Sequence, residues 1–411
     1  MRSRRLSKAL ISGFLFLLLA VAAYGSAPAM SQTQAPRLEP NGRDRALERA
    51  AGLPQLRSLL VSMDGKVVAE RYFYGTRPEQ AANVKSVSKS LLSTLVGIAL
   101  DRGFLRSVEQ PIGKYFTEHA NAAVDPAWQT ITIEDLLTMR SGLETTSNRN
   151  YGQWVQSRNW VRHVLSQPMI ETPGGRMIYS TGNSHLLSAI LTKATGMSTF
   201  EFARRHLAEP MGIPIRPWRR DPQGIYFGGN EMYLTPRAML EFGHLYLNGG
   251  LARRRQIVSE TWVRRSLEPR TRSRWSGSEY GYGWWTRFLA GRQAHYAWGY
   301  GGQFIFLVPD LELVVVTTSD PTGGEGRRGR QQLAGPLHPR WPAPRPARCP
   351  AGRGDVRYRR ERHRQCRRQG QGDGEGTGDP HPGLRRSFRG RDRSHGQGRR
   401  KPFGRGQIEE G

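Results

Sequence analysis

Two apolar β-hairpins bracket a long stretch of helical pattern, and that arrangement limits the fold more than any other feature of the sequence. Leu56–Met63 and Lys66–Phe73 are strand-like runs joined by Asp64-Gly65, a strong hairpin-turn pair. Phe304–Val308 and Leu311–Thr318 repeat the pattern around Pro309-Asp310. Both hairpins are apolar enough for a half-buried or fully buried sheet. Between them, Thr132 opens a helix with an acid three residues on, Asp135, and Gly142 is its expected stop. A second helix is expected over Ser184–Ala194, ended by Thr195-Gly196. Thr235-Pro236 opens a third, with Met239, Leu240, Phe242 and Leu245 on its apolar side and Gly249-Gly250 at its end. Strands at both ends with helices between give one α+β unit: an antiparallel sheet built from both chain ends, flanked by helices, with a mostly helical insert. The sequence contains no internal repeat.

The chemistry concentrates at Ser86-Val87-Ser88-Lys89, where a serine is followed three residues later by a lysine. Residues three apart share one face of a helix, so the Lys89 amine falls within reach of the Ser86 hydroxyl. That hydroxyl is a weak nucleophile until a neighbouring base takes its proton. A buried lysine can be that base, because desolvation penalises its charged form. The run Leu91–Leu100 behind the motif is apolar on most sides, as a helix inside a large core should be, and Asp101-Arg102-Gly103 ends it. A solvated surface helix would not carry that run.

Two further segments could complete such a site. Tyr179-Ser180-Thr181-Gly182-Asn183 follows Pro173-Gly174-Gly175 and leads into a helix. A tyrosine at that junction can relay a proton to or from the serine oxygen or the leaving group, and Thr181 and Asn183 could orient the groups by hydrogen bonds. Gly299-Tyr300-Gly301-Gly302-Gln303 precedes the last hairpin, and its glycines would let a substrate approach the backbone. A backbone N–H there, paired with that of Ser86, could form an oxyanion hole. Other catalytic patterns are missing. The sequence has no Gly-x-Ser-x-Gly elbow and no Gly-x-x-x-x-Gly-Lys phosphate loop, and its ten histidines show no metal-ligand spacing. No metal or cofactor is expected.

The ends differ from the body. Arg2, Arg4, Arg5 and Lys8, then apolar Ala9–Ala23, then Ala27-Pro28-Ala29 follow the order of a secretory signal, so residues 1–29 are expected to be a signal peptide or an uncleaved anchor and the protein to be exported, periplasmic or secreted. The only two cysteines, Cys349 and Cys366, lie near the C-terminus, so no disulfide framework holds the body. Residues 326–411 carry 23 Lys and Arg against 8 Asp and Glu, which accounts for +15 of the net +28. After Pro321 the sequence turns to Gly, Arg, Pro and Gln, and such a segment cannot bury enough apolar area to fold. Residues 324–411 are therefore expected to be a disordered tail, and 40–322 the working domain. The tail has the arginine-rich bias that a shifted frame in GC-rich DNA would spell, which resequencing tests. That origin is preferred to a nucleic-acid-binding arm.

Lys85–Ser90, Tyr179–Asn183 and Gly299–Gln303, in this order and spacing, resemble the serine β-lactamase-like hydrolases, a group of class C β-lactamases, D-Ala-D-Ala carboxypeptidases, family VIII esterases and 6-aminohexanoate-dimer hydrolases. Leu136–Leu143 and Phe242–Gly250 look like further family segments, and the likeness spans about residues 45–322. It implies the β-lactamase/transpeptidase-like fold, Ser86 as acylated nucleophile, Lys89 as its base and Tyr179 as proton shuttle. The amides of Ser86 and Tyr300 would form the oxyanion hole, with Thr181, Asn183, Trp298, Gly299 and Gln303 at the substrate. Ala297-Trp298-Gly299 stands where β-lactamases usually have Lys-Thr-Gly, and Thr181 where they have asparagine. Both departures favour an esterase or amidase of small molecules over a β-lactamase or carboxypeptidase acting on peptidoglycan. A non-catalytic peptidoglycan- or anion-binding protein is the alternative of another class. The resemblance also implies a closing C-terminal helix, for which the tail has no amphipathic segment.

Overall fold

A computed structural model describes residues 40–120 and 125–322. The signal-like leader, both cysteines and the tail, where the family would place a closing helix, all lie outside the described residues.

The two chain ends meet in one sheet. Strands β1 (Leu56–Met63) and β2 (Lys66–Tyr72) form the first hairpin, with Asp64 and Gly65 left-handed at its turn (φ 52° and 69°). Antiparallel β3 (Ala82–Asn83) and β4 (Tyr233–Leu234) make a small separate pair, as do β5 (Leu251–Ala252) and β6 (Arg255–Gln256). The large sheet continues with β7 (Thr271–Arg272), β8 (Glu279–Tyr280), β9 (Trp285–Leu289), β10 (Arg292–Gly299), β11 (Gln303–Val308) and β12 (Leu313–Ser319). Its order is β2-β1-β12-β11-β10-β9-β8-β7, antiparallel throughout. Leu60 of β1 stands opposite Val316 of β12, and the Ser58 and Thr318 hydroxyls bond across the join at 2.6 Å.

The second hairpin turns later than Pro309-Asp310 predicts. Pro309–Leu311 form a 3-10 turn and Glu312 is left-handed (φ 46°), so β12 starts only at Leu313. The β9–β10 hairpin was not legible from pattern. Its strands mix Arg, Gln and His with aromatics, and its turn is Ala290-Gly291 rather than a typical pair.

Helices cover both faces. On the outer face α1 (Pro40–Ala51) sets Ala46 and Ala50 against Leu59, Val61, Phe306 and Val315 of the sheet. On the inner side α2 (Ser88–Asp101), α3 (Ile133–Leu137), α4 (Tyr151–Gln156), α5 (Trp160–Leu165), α6 (Thr181–Thr195), α7 (Pro236–Leu247) and α8 (Glu260–Leu267) share one core with Leu60, Ile305, Val314 and Val316. Of these, α7 packs on β1, β11 and β12 and α2 on β10, while α6 packs on α2, α3 and α5, α4 on α5, and α8 on α2. Helix α2 is buried from Ser88 to Ala99, as its unbroken apolar run requires. It packs so closely on α8 that a Cβ at Gly97 would lie 2.4 Å from the Trp262 ring.

Two helix limits differ from expectation for local reasons. Thr132 and Asp135 form a reciprocal capping box on α3, yet the helix stops at Leu137 because Met139 turns left-handed (φ 61°) before Gly142 is reached. Helix α6 starts at Thr181 rather than Ser184. Ser147 Oγ accepts the Thr181 N–H (2.8 Å) and Thr146 Oγ1 accepts that of Gly182 (3.0 Å), so outside hydroxyls satisfy its first orphan donors.

Candidate active site

A strained turn presents Ser86. Lys85 is left-handed (φ 52°), opening the 3-10 turn Lys85–Val87 that runs straight into α2. Such a conformation costs on the order of 1 kcal/mol or more for a residue with a side chain and persists only when its surroundings hold it. Here they do. Asn83 Oδ1 accepts the Lys85 N–H (3.0 Å), the Lys85 carbonyl accepts the Ser88 hydroxyl (2.6 Å), and Lys85 Nζ lies 3.5 Å from Glu231 Oε1. Glu231 is left-handed too (φ 63°) and takes the Asn83 amide on its other oxygen (2.9 Å), so one ion pair ties together the two strained segments flanking the site.

Lys89 lies in the first turn of α2, 4 % exposed. Its Nζ is 3.1 Å from Ser86 Oγ, 3.3 Å from Thr181 Oγ1 and 2.8 Å from the Gly229 carbonyl. All three neighbours are uncharged, and burial lowers the lysine pKa to about 7. A neutral amine has two N–H donors and one lone pair. The Gly229 and Thr181 oxygens take the donors, which turns the lone pair to the Ser86 hydroxyl. Gly229 has φ +80°, and a Cβ there would sit 2.8 Å from Lys89 Cγ, so glycine is what lets this carbonyl reach the amine.

Tyr179 lies just ahead of α6, its ring centroid 5.2 Å from Lys89 Nζ. Its ring stacks on Trp285 (5.9 Å) and meets Tyr280 edge-on (6.4 Å). Burial pushes its hydroxyl up to about 12, with the Ser86 side chain pulling the other way. Tyr179 therefore gives up its proton at a much higher pH than Lys89. The end of β10 closes the site: a Cβ at Gly299 would lie 2.2 Å from the Val84 carbonyl and 3.1 Å from Lys85 Cβ, so the strand end runs against the Ser86 turn. Serine and amine, phenol, and strand end thus converge from three separate parts of the chain.

The beta-lactamase family profile matches residues 55–335. The chain belongs to the beta-lactamase family. With it comes membership of the β-lactamase-fold hydrolases. Over 292 residues the chain is 26 % identical to the 6-aminohexanoate-dimer hydrolase of Paenarthrobacter ureafaciens, covering 64 % of this chain and 72 % of that protein. Among solved structures, a putative 6-aminohexanoate-dimer hydrolase from Bacillus anthracis superposes with TM-score 0.59 at 18 % identity, over 68 % of this chain and 77 % of that one. EstCE1, a hydrolase with promiscuous acyltransferase activity, gives 0.57 at 15 % identity, over 70 % and 97 %.

Within this family member, some residues expected at the substrate lie elsewhere. Asn183, the third residue of α6, is fully buried (0 %) and accepts the hydroxyl of Ser141, in the segment after α3, at 3.0 Å. Gln303 is 2 % exposed and spends both ends of its amide on the Ser319 backbone (2.6 and 3.2 Å), extending the β11–β12 ladder. Neither can touch a substrate. Thr181 is buried against Lys89 and Ser147 (2.9 Å), which makes it a support of the amine. Trp298 is 42 % exposed, parallel to Phe304 at 6.4 Å and edge-on to Trp285 at 6.2 Å. The Tyr300 side chain is exposed.

Sequence reasoning missed the supports. Ser147, Gly229, Glu231 and Trp285 have no motif of their own, although the adjacent glycines Gly228-Gly229 ahead of Asn230-Glu231 are a readable sign of close backbone approach.

Proposed function

We propose that this hydrolase is a serine enzyme that cleaves small esters or amides through an acyl-enzyme on Ser86. The observation that carries the reading is the Lys89 amine, buried among uncharged partners 3.1 Å from Ser86 Oγ. In this mechanism Lys89 takes the Ser86 proton as Oγ attacks the carbonyl carbon. The oxyanion is held by the Ser86 and Tyr300 N–H groups. Tyr179 gives its proton to the leaving group, and the Lys89 ammonium returns one to the phenolate, so both are reset. Water then attacks the ester, with the proton path reversed.

Similarity to a 6-aminohexanoate-dimer hydrolase supports an amide or ester substrate. Ala297 is wholly buried and offers no charge for a substrate carboxylate, which favours substrates without one over β-lactams. The basic-then-apolar order of residues 2–29 supports export, which cell fractionation tests.

The test is turnover of p-nitrophenyl esters, with labelling by a fluorophosphonate. The wild type should turn over and be labelled, and Ser86→Ala should do neither while keeping its melting temperature. Retained turnover in Ser86→Ala would sink the assignment. A folded wild type that takes no label would favour the non-catalytic binding protein.

A further inference from the structure

A buried histidine–aspartate pair is linked to the Lys89 amine through Gly228 and Gly229. His185, one helical turn beyond Thr181 on α6, and Asp221 have fully buried side chains, with Nε2 and Oδ2 3.0 Å apart. Asp221 Oδ1 accepts the N–H groups of Gln223 (2.9 Å) and Ile225 (2.8 Å). On the other side of the ring, His185 Nδ1 faces the Gly228 N–H at 3.4 Å. One protonation state satisfies both contacts: a neutral imidazole with its proton on Nε2, donating to Asp221, and its Nδ1 lone pair accepting from Gly228. The carboxylate thus fixes the tautomer, and the tautomer holds the Gly228 N–H.

The next residue is Gly229, whose carbonyl is the nearest hydrogen-bond partner of Lys89 Nζ. Gly228 itself is pressed onto α6, where a Cβ would lie 2.1 Å from the Ser184 carbonyl. The rings of Trp154, Trp160 and Phe227 surround the imidazole at 5.8, 5.3 and 6.0 Å. The buried carboxylate is matched by three N–H donors, the Gln223 and Ile225 amides and the imidazole Nε2–H, and the imidazole passes that constraint on to the Gly228 N–H.

We propose that His185 and Asp221 are positioning residues: through the Gly228 N–H they set the Gly229 carbonyl, and so the direction in which the Lys89 lone pair meets Ser86 Oγ. The inference rests on the serine-hydrolase reading above.

Asp221→Asn tests it at constant volume. The two turn N–H groups keep the asparagine oxygen at the Oδ1 position, so its NH2 faces His185 Nε2. The imidazole must then move its proton to Nδ1, which sets N–H against the Gly228 N–H. Turnover per active site, counted by fluorophosphonate titration, should fall about tenfold to a hundredfold, the usual effect of a misplacement on the order of 1 Å. KM should stay within about threefold, because the substrate contacts are untouched. Titration separates this from partial unfolding, which lowers the number of sites and not the rate of each. The double variant His185→Phe/Asp221→Leu fills the cage with apolar groups. It leaves the Gln223 and Ile225 N–H groups without their carboxylate acceptor, so it should melt lower than wild type, while the molecules that fold show the same loss per site. A wild-type rate per site in either folded variant overturns the proposal, as does failure of both variants to fold. If Ser86→Ala turns over ester, the serine reading itself has failed, a result distinct from either of these.

Discussion

Lys89 has an ordinary pKa of 10.5 that burial lowers to about 7, and both the rate and the stability of the protein should follow from that shift. As the proposed base, Lys89 works only when deprotonated, so kcat/KM should rise with pH through about 7 and level off above it. Tyr179, pushed up to about 12, should add no alkaline fall below pH ~10. Stability moves in the same direction. Between about 7 and 10.5 the unfolded lysine holds a proton that the folded one lacks, so stability climbs with pH across that window and below it carries the full penalty. Urea titrations of wild type and Lys89→Met at several pH values check this, and the variant should lose that part of the slope. Equal slopes would mean the amine is solvated and Lys89 is not the base. Ser86 and Lys89 were legible because a three-residue spacing is a local property of a helix. Thr181, Asn183 and Gln303 were not, because which of them faces the cleft depends on what packs around the segment.

At the scale of elements, α2 shows how packing fixes the helix that carries Lys89. Its run of apolar residues predicts burial but not what lies against each side, and Gly97 answers that for one side. A methyl at Gly97 would lie 2.4 Å from the Trp262 ring, so Gly97→Ala must push α8 away or tilt α2. Overpacking of this kind costs about 1–3 kcal/mol. The variant should melt several degrees lower, and a melting temperature equal to wild type would show that the α2–α8 contact is loose. Helix α6 teaches the converse lesson. Its expected start at Ser184 was late because its cap comes from Thr146 and Ser147, distant in sequence, and no local pattern reports a cap of that sort.

Across the whole molecule, the decisive contact joins the first strand of the sheet to the last. Leu60 and Val316 are paired partners, and the join extends to Asp320, whose N–H reaches the Gln55 carbonyl (2.8 Å) and whose carboxylate meets Arg57 (3.3 Å). A chain stopped after Gly302 loses β11 and β12 and leaves β1 without its inner neighbour, so it should not fold. A chain stopped after Gly324 keeps every one of those pairings, and the poverty of aliphatic residues beyond Pro321 predicts that it keeps its melting temperature and ester turnover. Circular dichroism melts of the two truncations check this, and loss of folding in the longer one would make the tail structural. The sequence by itself determined the parts whose signals are local: two hairpins, the apolar helix behind Ser86, the capping box at Thr132, and a site that pairs a serine with a lysine. The tertiary structure alone decided that Gly229 reaches the amine, that Glu231 latches Lys85, that Trp285 backs Tyr179, and that His185 and Asp221 meet beneath the glycines. Those contacts join residues far apart along the chain, and only the packed core sets their distance.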